Sequence, residues 1–167
     1  MKGEETMNEK SFFEPGLVFW GLRKDTAEEC LEFLGKELTK AGKAKADYTK
    51  AVLEREAVYP TGLETPSVPI AIPHANPDNA LENALAVAKL ERPVMFRHMA
   101  DEEQEVPVEL IMMMCIAEPQ MQVPMLSRIL SIFTDGQMEK EIHSCKNAVE
   151  LYELLLKKTE NRKEDGG

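Results

Sequence analysis

The sequence predicts an α/β fold: a single domain with a mixed β-sheet flanked by helices. Three observations predict it. Apolar runs of strand length alternate with segments whose apolar residues recur at helical spacing. Two of those runs, Leu85 to Leu90 and Val94 to Phe96, follow each other directly, which places an adjacent-strand pair among the interleaved helices. The chain is 167 residues long, enough for one domain with a sizeable core, and no repeat or low-complexity linker divides it. The expected organisation is a flexible lead over 1–14, the domain over 15–158 and a flexible tail over 159–167.

In chain order, Pro15 to Gly21 is an apolar run between breakers and reads as a strand. A helix is expected from Asp25 to about Ala41, capped by Asp25 or Thr26, with Glu28 and Glu29 in its first turn. Its apolar residues Ala27, Cys30, Leu31, Leu34 and Leu38 share a face, and Gly42 stops it. A second helix runs from about Lys45 to Glu56. Tyr59-Pro60-Thr61-Gly62 is a turn, followed by a loop and the short apolar run Ile70-Ala71-Ile72 between Pro69 and Pro73. Asn76 to Asn79 is another turn. The strands Leu85–Leu90 and Val94–Phe96 are joined by a charged turn at Glu91-Arg92-Pro93. After the acidic loop Asp101–Glu105, Val106 to Ala117 is nearly continuous apolar sequence, the pattern of a central strand buried on both faces. Helices are expected over Val123–Phe133, Gln137–His143 and Ala148–Lys157, before a polar tail.

Composition narrows the function. Acidic residues outnumber basic ones 30 to 20, a formal charge of −10. Phosphate backbones and anionic lipid surfaces recruit clustered Lys and Arg, so both are disfavoured as partners. No segment reaches the roughly 20 apolar residues that span a bilayer, and Met1 to Lys10 lacks the apolar region of a signal peptide. Three cysteines without paired spacing fit a reducing compartment, and a cytoplasmic location is expected. Cys115 lies inside an apolar run, where a thiol is packing rather than nucleophile. Cys145 and His143 are too few for a metal site, and no metal or organic cofactor is expected.

Phosphate loops, dinucleotide-binding glycines, nucleophile elbows and HExxH are absent. What remains is His74. Pro73 has no donor for a sheet ladder, so it ends the apolar run and presents the next residue at a strand end. Such a histidine can be structural or reactive, and the setting alone does not choose. Arg55-Glu56, at the end of a helix upstream, is equally open: Arg55 could form a surface ion pair with a nearby glutamate, worth under about 1 kcal/mol.

The order Arg55-Glu56-Ala57-Val58-Tyr59-Pro60-Thr61-Gly62, loop, Ile70-Ala71-Ile72-Pro73-His74 resembles the signature of the fructose/mannitol-type IIA phosphocarriers of the bacterial phosphoenolpyruvate-dependent sugar phosphotransferase system. The Pro-Thr-Gly form with a longer loop looks most like the galactitol-type branch. The resemblance runs from about Leu17 to Leu156. It implies the fold of that family and a phosphohistidine relay. His74 would accept a phosphoryl group from HPr and pass it to a cysteine of the cognate IIB protein, with the membrane reached only through a IIC component. Arg55 matches the arginine that stabilises the phosphoryl group. Where mannitol-type members carry a second active-site histidine, this chain has Gln122, as galactitol-like members do. Glu64 is out of register with the family's acidic loop residue and inherits no role. His98 and His143 match no family position.

The chemistry is sound for imidazole. With an ordinary pKa of about 6.5, it is largely neutral at physiological pH and attacks phosphorus without prior deprotonation. Phosphoryl transfer then depends on positioning and charge stabilisation. A guanidinium about 4 Å from a phosphoryl oxygen contributes up to roughly 4 kcal/mol at an effective dielectric of about 20, before desolvation. Two other readings compete: a regulatory module of the same fold whose phosphorylation state controls a protein partner, and a purely structural domain.

Overall fold

The computed structural model describes residues 13–166, with side chains described through Thr159. Strand β1 (Phe13–Leu22) is followed by helices α1 (Ala27–Lys40) and α2 (Tyr48–Val58) and two short strands, β2 (Gly62–Leu63) and β3 (Ile70–Ala71). The long strands β4 (Ala84–Arg97) and β5 (Glu105–Cys115) come next, then α3 (Gln122–Ile132), α4 (Gln137–Ser144) and α5 (Ala148–Gly166). The five strands form one sheet in the order β1-β4-β5-β3-β2. β1 runs parallel to β4 and β3 parallel to β5, while the β4–β5 and β2–β3 pairs are antiparallel, so the sheet is mixed as expected.

α1 starts where its cap chemistry says it should: the Thr26 hydroxyl accepts the Glu29 N–H at 3.1 Å. Cys30, Leu31, Leu34 and Leu38 are buried on one face. The helix stops before Gly42, whose φ of +82° lies in the left-handed region where glycine carries no penalty.

β5 occupies the middle of the sheet, and its side chains alternate between two cores. Ile111, Met113 and Cys115 pack with Leu31, Leu34 and Val52 under α1 and α2. Leu110, Met112 and Met114 pack with Ile129, Ile142 and Leu151 under α3, α4 and α5. All six are at most 1% exposed, which explains the unbroken apolar run. Each such side chain contributes roughly 2 kcal/mol by leaving water.

The structure corrects several expectations. Leu85–Leu90 and Val94–Phe96 belong to one strand. Between the pairs Lys89↔Leu110 and Val94↔Val108, β4 inserts a bulge that absorbs exposed Glu91, Arg92 and Pro93. A bulge tolerates a missing proline donor, and both flanking runs keep β5 as a partner. β1 begins at Phe13, while residues 1–12 of the expected lead lie outside the described part. α5 continues to Gly166, through the expected tail, because nothing in Thr159 to Asp165 breaks a helix. β2 was hidden inside the predicted turn. At Gly62 a Cβ would lie 2.7 Å from the Arg97 carbonyl oxygen, so this strand passes β4's end only as glycine.

Candidate active site

The carboxyl ends of parallel β3 and β5 place His74. Two residues past β3, the Pro73 carbonyl accepts the Met114 N–H at 2.9 Å, and His74 bridges to Met114. Met114 is in turn tied to α2, since the buried Tyr48 hydroxyl donates to its carbonyl at 2.6 Å. His74 is half-buried. Its Nδ1 lies 3.0 Å from the Ile72 carbonyl oxygen, which can only accept. Nδ1 therefore carries the proton, and Nε2 carries the free lone pair. Burial lowers the imidazole pKa from 6.5; the positive charge of Arg55 lowers it further, and the bond to Ile72 partly opposes both. The ring is thus held neutral at physiological pH.

Arg55 is exposed on the last turn of α2. Its guanidinium sits 5.3 Å from the centre of the Tyr59 ring, a cation–π contact. Among the described residues no carboxylate lies within ion-pair distance of it, so the expected alternative of a surface ion pair does not form. Arg55 lines an open cleft of about 330 Å³ with Glu54, Val58, Tyr59, Asn76 and Asn79. Val58 and Tyr59 are more than half exposed there.

Glu56, beside Arg55 in sequence, points elsewhere. Its carboxylate accepts the Thr61 N–H at 2.8 Å and the Thr61 hydroxyl at 3.0 Å. The same hydroxyl oxygen accepts the Ile72 N–H at 3.1 Å. Burial pushes the Glu56 carboxyl above the usual carboxylate range, against the Thr61 bonds and the charges of Arg97 and Arg55. Read along the sequence, Pro60-Thr61-Gly62 looked like a turn alone. A polar Thr between Pro and Gly, close after a helix-terminal glutamate, was the available signal.

Gln122 opens α3, beyond the carboxyl end of β5. Its Oε1 is buried without a hydrogen-bond partner, and no hydrogen bond joins it to His74 among the described residues. His98 is half-buried in the loop after β4, its Nδ1 accepting the Ala100 N–H at 2.9 Å. The Nε2 of His143 lies 2.9 Å from Glu109, midway along β5. Cys115 is a packing residue: its thiol donates to the Lys43 carbonyl, and burial pushes its pKa up to about 12. Among the described residues no group of three His, Cys, Asp or Glu side chains is arranged to hold a metal ion, and no helix is long and apolar enough to cross a membrane.

A family model described as "Phosphoenolpyruvate-dependent sugar phosphotransferase system, EIIA 2" matches residues 11–158. The galactitol-specific EIIA component of Escherichia coli (strain K12) is 31% identical over 98 residues, 59% of this chain and 65% of that protein. The chain thus spans slightly under two thirds of that relative's length. The mannitol-specific EIICBA component of the same organism is 31% identical over 88 residues, 51% of this chain and 13% of its own length. In structure, the chain is similar to enzyme IIA Mtl of Escherichia coli in complex with phosphorylated enzyme IIB Mtl. The TM-score is 0.68 at 25% identity, covering 84% of this chain and 94% of that one. The nitrogen regulatory protein IIA-Ntr of Neisseria meningitidis shares the fold, with a TM-score of 0.70 at 17% identity over 87% of this chain and 97% of that one.

Proposed function

Because the chain belongs to the EIIA 2 family of the phosphoenolpyruvate-dependent sugar phosphotransferase system, we propose that it is a histidine phosphocarrier acting through His74. It accepts the phosphoryl group from HPr and passes it to the cysteine of a IIB protein, in the cytoplasmic arm of galactitol-like sugar or polyol uptake. The observation that carries this reading is the neutral His74 ring, with Nδ1–H on Ile72 and the Nε2 lone pair available.

In the first step the Nε2 lone pair forms a bond to phosphorus. The bond from phosphorus to the donor nitrogen breaks, and its electron pair stays with the donor. The His74 ring keeps its Nδ1 proton on the Ile72 carbonyl, which stabilises the positive charge that the ring acquires. Arg55, whose positive charge already acts on the His74 ring, then stabilises the negative charge on the phosphoryl oxygens. Its exposure keeps its contribution below the roughly 4 kcal/mol of a contact at an effective dielectric of about 20. Transfer to the IIB cysteine reverses the bond changes, with sulfur as the nucleophile. Exposed Val58 and Tyr59 offer apolar contact beside Arg55 for transient docking, and the net charge of −10 steers a basic partner.

The test is incubation with phosphoenolpyruvate, enzyme I and HPr. One acid-labile phosphate per chain is expected, absent from His74→Ala. A wild-type chain that takes up no phosphate refutes the reading. A second arm adds candidate IIB proteins: transfer to a IIB cysteine supports uptake, and stable retention of the phosphate supports a regulatory role.

A further inference from the structure

We propose that Glu56 and Thr61 are positioning residues that set the tautomer and orientation of His74 through the backbone of Ile72. The consequence for phosphoryl transfer rests on the reading of His74 as acceptor; the effect on the ring itself does not.

The contacts form an unbroken series. The Ile72 N–H can only donate, so the Thr61 oxygen accepts it at 3.1 Å. The Thr61 hydroxyl proton is then directed to Glu56 Oε1, at 3.0 Å. Glu56 Oε2 also accepts the Thr61 N–H, at 2.8 Å. Two donors thus converge on one side chain whose two oxygens face Thr61; an ionised carboxylate accepts at both, whereas an amide in its place turns an NH2 toward Thr61 at one of them. Beyond Ile72, its carbonyl accepts the Nδ1–H of His74 at 3.0 Å. Ile72 itself is fully buried. Its N–H is held by Thr61 and its C=O by the ring, so the rotation of this one residue decides where the acceptor for Nδ1 lies. The other tautomer would set a nitrogen lone pair against the carbonyl oxygen.

The placement of charge agrees. Glu56 is mostly buried, a costly position for a carboxylate unless something requires it. Arg97, whose guanidinium donates to the Ala57 carbonyl at 2.7 Å, and Arg55 lie near enough to stabilise it. A role confined to closing the turn between α2 and β2 would use the Glu56–Thr61 bonds and leave the ring indifferent to them.

The two roles separate in the ¹⁵N spectrum of the His74 ring, recorded on the full chain at a pH where the ring is neutral. The wild type is expected as the Nδ1–H tautomer. Thr61→Val should yield a mixture of tautomers and slow phosphoryl uptake from HPr about tenfold, the factor one ordinary hydrogen bond supplies. Thr61→Ser should restore both. Glu56→Gln, which keeps the side chain's size, should shift the tautomer in the same direction. An Nε2–H tautomer in the wild type overturns the proposal. So does an unchanged ring spectrum in Thr61→Val or, if that variant fails to fold, in Glu56→Gln. A wild-type chain that takes up no phosphate refutes the acceptor reading instead, and the ring spectra still decide the positioning role.

Discussion

The Nδ1 of His74 lies 3.0 Å from the carbonyl oxygen of Ile72, two residues earlier in the same chain. This short link leaves Nε2 as the ring nitrogen with the free lone pair, and Pro73 between the two residues holds the geometry by fixing its own φ.

His74 should titrate below 6.5, because burial and Arg55 both disfavour its cation. Phosphoryl uptake should stay level across neutral pH and fall only below the range expected for a free histidine. The sign for stability follows from linkage. The unfolded chain binds the proton first as pH falls, so the neutral ring's contribution is complete above about 6.5. It is lost as pH falls through the lowered folded value. Wild type should lose more stability than His74→Ala between neutral pH and that value. A His74 NMR titration midpoint at or above 6.5 would contradict both statements.

Arg55→Ala should slow phosphoryl transfer tenfold or more, on the order of 1.4 kcal/mol of transition-state charge stabilisation. Its stability should stay within about 0.5 kcal/mol of wild type, because Arg55 is exposed and unpaired with any described carboxylate. Tyr59→Ala removes the ring under the guanidinium and should cost a smaller factor, roughly two- to fivefold, for a contact of about 0.5–1 kcal/mol. Single-turnover transfer from phosphorylated HPr measures both, and equal rates for all three proteins would remove Arg55 from the site.

Tyr48→Phe deletes the hydroxyl that donates to the Met114 carbonyl inside the core. The change keeps shape and loses one buried bond, so urea denaturation should show a loss of about 1–2 kcal/mol. The ring position opposite Met114 makes a modest slowing of transfer the accompanying expectation.

Gly62→Ala forces a Cβ to within 2.7 Å of the Arg97 carbonyl oxygen, so β2 must move away from β4. Overpacking of this kind costs roughly 1–3 kcal/mol. Thr61 precedes Gly62, so transfer should slow together with the loss of thermal stability. A variant as stable as wild type would show that β2 yields without strain.

The helices were legible because their signals are local. Thr26, the buried stripe from Cys30 to Leu38, and Gly42 all act within one or two turns. The central position of β5 was legible because a strand covered on both faces carries no polar alternation. β4 was not: Glu91-Arg92-Pro93 has the composition of a turn, and only pairing with β5 on both sides makes it a bulge. β2 and β3, at two residues each, are too short to show any period. At the site, Arg55 and His74 stood out in sequence. Thr61 did not, because its role depends on Ile72, eleven residues away, coming within hydrogen-bond reach.

Local chemistry in the chain was enough to determine the α/β class, the helix caps, the central apolar strand and a histidine presented behind a proline. The tertiary structure alone decided which nitrogen of that histidine is free, that no described carboxylate lies within ion-pair reach of Arg55, and that Glu56 holds Thr61 while Thr61 holds the Ile72 N–H. The physical reason is range. Capping, periodicity and proline stops act over a few residues, while tautomers, ion pairs and buried carboxylates depend on what packing brings within about 3 Å.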